Sequence, residues 1–107
     1  MTQQEKRNGI DKFQKTKELI TAGWTRGTLA RDEQGLPREI DDPMASRFCI
    51  KGALYRAECE MSLIRYVSGK ANRSITYLND HILGTQEKAI AFLDTIISKW
   101  KKESACD

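Results

Sequence analysis

With 107 residues, 39% hydrophobic and 31% charged, the chain has the length of one domain and too many buriable side chains for disorder. The net charge is +3, and acidic residues are interleaved with basic ones throughout. Proteins that bind nucleic acid through its phosphates cluster their lysines and arginines, so nucleic acid is not an expected partner.

Three cysteines, Cys49, Cys59 and Cys106, form no C-x-x-C pair, and the single histidine, His81, does not complete a zinc spacing with them. Neither a metal nor another cofactor is expected, and the thiols are taken as reduced in a cytoplasmic protein. No stretch approaches the roughly 20 apolar residues a membrane span needs, and the N-terminus lacks a signal-type apolar run.

In chain order, Thr2 and Glu5 form a capping box that opens a first helix, whose reliable part runs from Ile10 to Ala22 and stops at Gly23. Ile10, Phe13, Lys17 and Ile20 share its inner face at helical spacing. Residues 24–42 read as a short β-hairpin insertion, with arms at Thr28–Arg31 and Leu36–Ile40 and Gly35 supplying a positive φ in the turn. Asp42 and Pro43 then predict the start of a long second helix reaching Val67. Its two apolar stripes leave only a narrow polar strip, which makes it the expected central helix. A third helix is predicted from Arg73 to Leu83, ending at Gly84. Thr85 caps a fourth, with Ala89, Phe92, Leu93, Ile96, Ile97 and Trp100 inward. The tail 103–107 is expected to fray. The predicted fold is mainly α: one compact four-helix domain over 1–107, with the hairpin between helices 1 and 2.

Arg56 and Glu60, four residues apart inside an apolar face, are either an intrahelical ion pair or, for Arg56, the floor of a pocket for an anion. Trp24 and Arg26 beside Gly27 either stack and hold a nucleotide-like anion or form a lid on the bundle, and Arg31 and Arg38 extend the same positive surface. Asn79, Asp80 and His81 form a polar triplet at the end of the third helix: Asn79 and Asp80 are candidate ligand-binding residues, against a reading of local capping with a solvated histidine, and acid–base chemistry by Asp80 and His81 is not expected because adjacent helical residues point about 100° apart. Ile50, Leu54, Ala57 and Met61 follow a heptad-like spacing that suits a homodimer seam. No Gly-rich phosphate loop, H-E-x-x-H or G-x-S-x-G is present, so no catalytic residues are expected and the chain is read as a non-enzyme.

The segments Gly23-Trp24-x-Arg26-Gly27, Ala30-Arg31-Asp32-x-x-Gly35, Ala45-x-Arg47-Phe48-Cys49-x-x-Gly52-Ala53-Leu54-x-Arg56-Ala57 and Leu78-Asn79-Asp80 together resemble a family of short bacterial and phage proteins classed as a domain of unknown function. The resemblance extends over about residues 19–97; the family's usual tryptophan before the cysteine stands here as Phe48. It implies that Trp24, Cys49, Gly52, Ala53, Asn79 and Asp80 belong to a shared pattern, and it implies a phage or mobile-element origin. It carries over no catalytic residue. The function expected from these readings is non-enzymatic binding, of a host protein or a second copy. The alternative is capture of a small nucleotide-like anion, held by Trp24, Arg26 and Arg56.

Overall fold

The computed structural model describes residues 2–104. Its elements are α1 (Gln3–Ala22), β1 (Ala30–Arg31), β2 (Arg47–Phe48), α2 (Ile50–Arg56), α3 (Met61–Ala71), α4 (Ile75–Tyr77), a π-helical turn (Leu78–Leu83) that directly continues α4, and α5 (Gln86–Ser104). The chain is mainly helical with a small antiparallel sheet.

The two long helices form as their local signals dictate. The Thr2 hydroxyl caps α1 by accepting the Glu5 amide at 3.1 Å, and it donates to the Glu5 carboxylate, which takes the hydroxyl rather than the backbone amide that a full capping box uses. Thr85 caps α5 by accepting the Lys88 amide at 3.2 Å. The helices lie antiparallel, since Lys6 and Gly9 of α1 meet Trp100 while Ile20 and Thr21 meet Gln86. Phe13, Ile20, Leu93 and Ile96 are fully buried between them and α2; each contributes about 1.5–3 kcal/mol by leaving water. A Cβ on Gly9 would stand 2.5 Å from the Trp100 ring, so glycine, a weak residue inside a helix, is what allows the indole to lie on α1. There Trp100 donates to the Lys6 carbonyl at 3.0 Å and meets Phe13 and Tyr66 edge-on, at 5.6 and 5.0 Å.

The predicted central helix of residues 43–67 does not exist as one piece. Asp42 Oδ1 accepts the Met44 amide at 2.8 Å and its carbonyl accepts the Ala45 amide at 3.0 Å, an Asx turn that uses up the cap before a helix can start. Residues 46–49 then run extended, and Cys49, not Asp42, caps the helix that follows. That helix ends at Ala57 in a Schellman closure. The Glu58 amide reaches Tyr55 O at 2.9 Å, the Cys59 amide reaches Leu54 O at 3.0 Å, and Glu58 takes the left-handed conformation with φ 61°. From α1, Lys12 Nζ donates to the Glu58 carbonyl at 3.0 Å, Asn8 to Glu60 at 3.1 Å, and Thr16 contacts the Cys59 sulfur at 3.7 Å. The break is therefore held from outside, by one face of α1.

The hairpin is also rearranged. Its own arms share a single bridge, Arg31–Pro37, closed by the Arg38 amide on Ala30 O at 3.0 Å and the Asp32 amide on Leu36 O at 2.9 Å. Gly35 does supply the positive φ, at 89°. The main partner of β1 is β2, with Ala30 opposite Phe48 and Arg31 opposite Arg47. On the other side of Phe48, the Phe48 amide donates to Gly23 O at 3.0 Å and Phe48 O accepts the Thr25 amide at 3.1 Å. Four extended stretches, at 23–25, 47–49, 29–32 and 36–38, thus lie side by side with Phe48 near the middle.

Two further expectations are corrected. The four helices are five, because the 43–67 segment splits. Of the predicted frayed tail, residues 103 and 104 belong to α5, where Glu103 accepts from Tyr66 at 2.7 Å and pairs with Lys70; residues 105–107, including Cys106, lie outside the described residues.

Candidate functional site

The loop after α1 and the π-helical turn meet on one side of the molecule, and their junction is organised by Asn79. This side chain is fully buried. Its Oδ1 accepts the Trp24 indole N–H at 2.8 Å and the Ile50 amide at 3.1 Å, and its Nδ2 donates to Thr25 O at 3.1 Å and to Asp80 Oδ1 at 2.9 Å. All four of its hydrogen-bonding positions are used. Ile50 is the first residue of α2, so Asn79 satisfies one of the amides a helix start leaves free. The wider π turn, closed by the Gly84 amide on Asn79 O at 3.2 Å, brings this side chain inward and turns Asp80 and His81 outward. Such turns recur at functional positions in helices.

Around this hub the expected site residues divide into two groups. Trp24 is half-buried and packs against the core with its indole N–H spent on Asn79, so it is the lid and not an open stacking plane. Arg31 is likewise consumed: Nε donates to Thr25 Oγ1 at 2.9 Å, one Nη to Gly35 O at 2.9 Å, and the other to Arg26 O at 3.4 Å. Arg38 pairs with Asp32 at 2.9 Å and Asp42 at 3.5 Å. Cys49 Sγ accepts the Gly52 amide at 3.3 Å, and burial raises the pKa of its thiol. Gly52 has no room for more, since a Cβ would come within 2.1 Å of the Leu29 carbonyl.

Arg56 and Glu60 do not pair. The break at Glu58 separates them onto different helices, with Glu60 bonded to Asn8. Arg56 donates to the carbonyls of Ile40 at 2.5 Å and Asp42 at 3.0 Å and lies 5.5 Å over the Phe48 ring. It ties the 40–42 turn to α2 and lines a shallow depression with Ile40, Asp41, Tyr55 and Glu58. Arg26 lines a different recess. The predicted grouping of Trp24, Arg26 and Arg56 about one ligand is therefore not assembled. The dimer seam also fails: Ile50 and Leu54 are fully buried and Ala57 is 6% exposed, while Met61, 55% exposed, sits beyond the break on α3. That stripe is core because α2 is covered by α1 and α4.

Asp32 stands in the Ala30-Arg31-Asp32-x-x-Gly35 segment, where the sequence assigns it no role of its own. It is a fully buried carboxylate whose Oδ1 accepts the Gln34 and Leu36 amides at 2.9 and 3.0 Å while Oδ2 accepts from Arg38. The Leu36 amide, with the Arg38 guanidinium and the Gln34 amide, holds its pKa below the ordinary carboxylate range against the opposing effect of burial.

The second group remains at the surface. Arg26, Gly27, Asp80 and His81 line one recess of about 320 Å³ between the loop and the π turn. Arg26 Nη donates to the Asp80 carbonyl at 3.3 Å, which links segments 54 positions apart. Gly27 has φ 84°, a conformation other residues adopt only with strain. The His81 ring lies 5.0 Å from that of Tyr77, and Arg73 lies 5.7 Å over Tyr77. His81 and Gly27 were not among the predicted ligand-binding residues. The signal available was the i, i+4 spacing of Tyr77 and His81 beside Asp80. Among the described residues no group of three or more His, Cys, Asp or Glu is placed to hold a metal ion, and no helix is long and apolar enough to cross a membrane.

A family model described as a family of unknown function (DUF6197) matches residues 7–99. No curated protein and no solved structure matches the chain.

Proposed function

We propose that this chain, which belongs to the family of unknown function DUF6197, is a non-enzymatic binding protein whose recognition site is the recess of Arg26, Gly27, Asp80 and His81. The observation that carries this reading is a division of labour within the sequence pattern. Trp24, Arg31, Asp32, Cys49 and Asn79 are spent on holding the loop, the sheet and α2 together. Arg26 gives one N–H and Asp80 its carbonyl and one carboxylate oxygen to the same junction, but the rest of the guanidinium and the other carboxylate oxygen are unspent, and with Gly27 they converge on one surface.

A recess of this size is at the small end of ligand sites, and its guanidinium and imidazole suit an anionic group. That group belongs either to a small nucleotide-like molecule or to a protein partner, the latter being what a phage-encoded protein acting on a host factor in the cytoplasm would need. A thiol chemistry is disfavoured by the burial that keeps Cys49 and Cys59 protonated.

The test is an amide NMR titration of the full chain with inorganic phosphate and nucleoside monophosphates. The reading expects shifts at Gly27, Asp80 and His81 that Arg26→Met abolishes. Shifts confined to other surfaces, or unchanged by that substitution, would remove the recess as the site.

A further inference from the structure

The recess contains charges of both signs that do not neutralise each other. Among the described residues the ion pairs join Lys17 to Asp94, Arg38 to Asp32 and Asp42, and Lys70 to Glu103. Neither Arg26 nor Asp80 takes part. The Arg26 guanidinium instead gives one of its five N–H groups to the Asp80 backbone carbonyl at 3.3 Å. The Asp80 carboxylate is held by the Asn79 amide on Oδ1 at 2.9 Å, and its other oxygen has no partner among the described residues. Because Asn79 is itself fixed by Trp24, Ile50 and Thr25, Asp80 is oriented in advance by the core.

A plain anion gains from Arg26 but is repelled by Asp80, and a plain cation meets the converse. A molecule carrying both charges a few bonds apart satisfies both walls and leaves neither group uncompensated. We infer that the recess takes a small zwitterion, its phosphate or carboxylate against Arg26 and His81 and its ammonium against the free oxygen of Asp80. The inference rests on the recess being the recognition site and adds the class of its ligand.

Phosphoethanolamine, inorganic phosphate and ethanolamine separate the two charges experimentally. Each is titrated into the full chain while the amides of Gly27, Asp80 and His81 are followed. The expected result is that phosphoethanolamine binds about tenfold or more tighter than either single-charge probe. Asp80→Asn keeps an acceptor for Asn79, so the fold is retained. It should weaken phosphoethanolamine about tenfold while tightening inorganic phosphate.

Phosphate binding as tightly as phosphoethanolamine, with Asp80→Asn improving both, overturns the zwitterion and leaves an anion site standing. No shift at these amides with any of the three probes overturns the zwitterion and the recess as a recognition site together.

Discussion

Replacing Asn79 with alanine removes four hydrogen bonds at the point where the 24–28 loop, α2 and the π turn join. Two of the abandoned partners, the Ile50 amide and the Thr25 carbonyl, are buried, and each unsatisfied buried group costs about 1–3 kcal/mol. The Trp24 indole and the Asp80 carboxylate can turn toward water, so each loses only about 0.5–1.5 kcal/mol. The sum is about 3–9 kcal/mol, a large share of the roughly 5–15 kcal/mol that holds a domain of this size. At about 4–8 °C per kcal/mol the melting temperature should fall by about 12 °C or more. Urea denaturation followed by circular dichroism measures the loss, and hydrogen exchange at the Trp24 indole reports whether the hub itself has opened. Asn79→Asp, close in size, should be at least as damaging at pH 7. It turns the two donors into acceptors that face a carbonyl and a carboxylate. A stability within about 1 kcal/mol of the parent for Asn79→Ala, at unchanged m-value, would refute the hub as an energetic centre.

Three other outcomes are expected. Gly52→Ala should destabilise by about 3 kcal/mol or more because the Leu29 carbonyl is backbone and cannot step aside, whereas Gly69→Ala, in α3 with open space around it, should stabilise by about 0.5–1 kcal/mol; equal effects in thermal melts would contradict the packing. Asp32 has a folded pKa below its unfolded value of about 3.9. Its contribution is therefore fully present above that pH and is lost as pH falls through the folded pKa, so chemical denaturation across the acid range should show a steeper loss for the parent than for Asp32→Asn. Burial raises the pKa of both the Cys49 and Cys59 thiols, so a thiol-specific reagent at neutral pH should modify them only as fast as the structure opens; labelling at the rate of a small free thiol would show the α2 cap to be exposed.

The parts of the fold legible in the sequence are those whose cause is local. The Thr2 and Thr85 caps and the helical spacing of Phe13 to Ile20 and Ala89 to Trp100 lie within a turn or two of what they specify. Gly84 marks the end of the π turn for the same reason, its left-handed φ of 69°. The break after α2 was not legible because no glycine or proline marks it: Glu58 accepts the left-handed conformation, and Lys12, 46 positions away, holds its carbonyl. Residues 45–49 carry apolar spacing that fits a helix equally well, and the extended chain there is held by tertiary bonds, the Phe48 amide donating to Gly23 O and the Thr25 amide donating to Phe48 O.

The candidate site divides along the same line. Trp24, Arg26, Asn79 and Asp80 stand out in the sequence as polar or aromatic groups in short motifs, and all four meet at the loop–π-turn junction. Sequence alone determined the helical class, the outer helices and the residue types available for binding, because caps and periodicity act within a few residues along the chain. Which of those residues became a sealed hub and which an open rim, why Arg56 parted from Glu60, and why the Ile50 and Leu54 stripe turned inward were decided only in three dimensions. A hydrogen bond or a buried face depends on what distant segments bring to it, and spacing along one strand of sequence does not encode that partner.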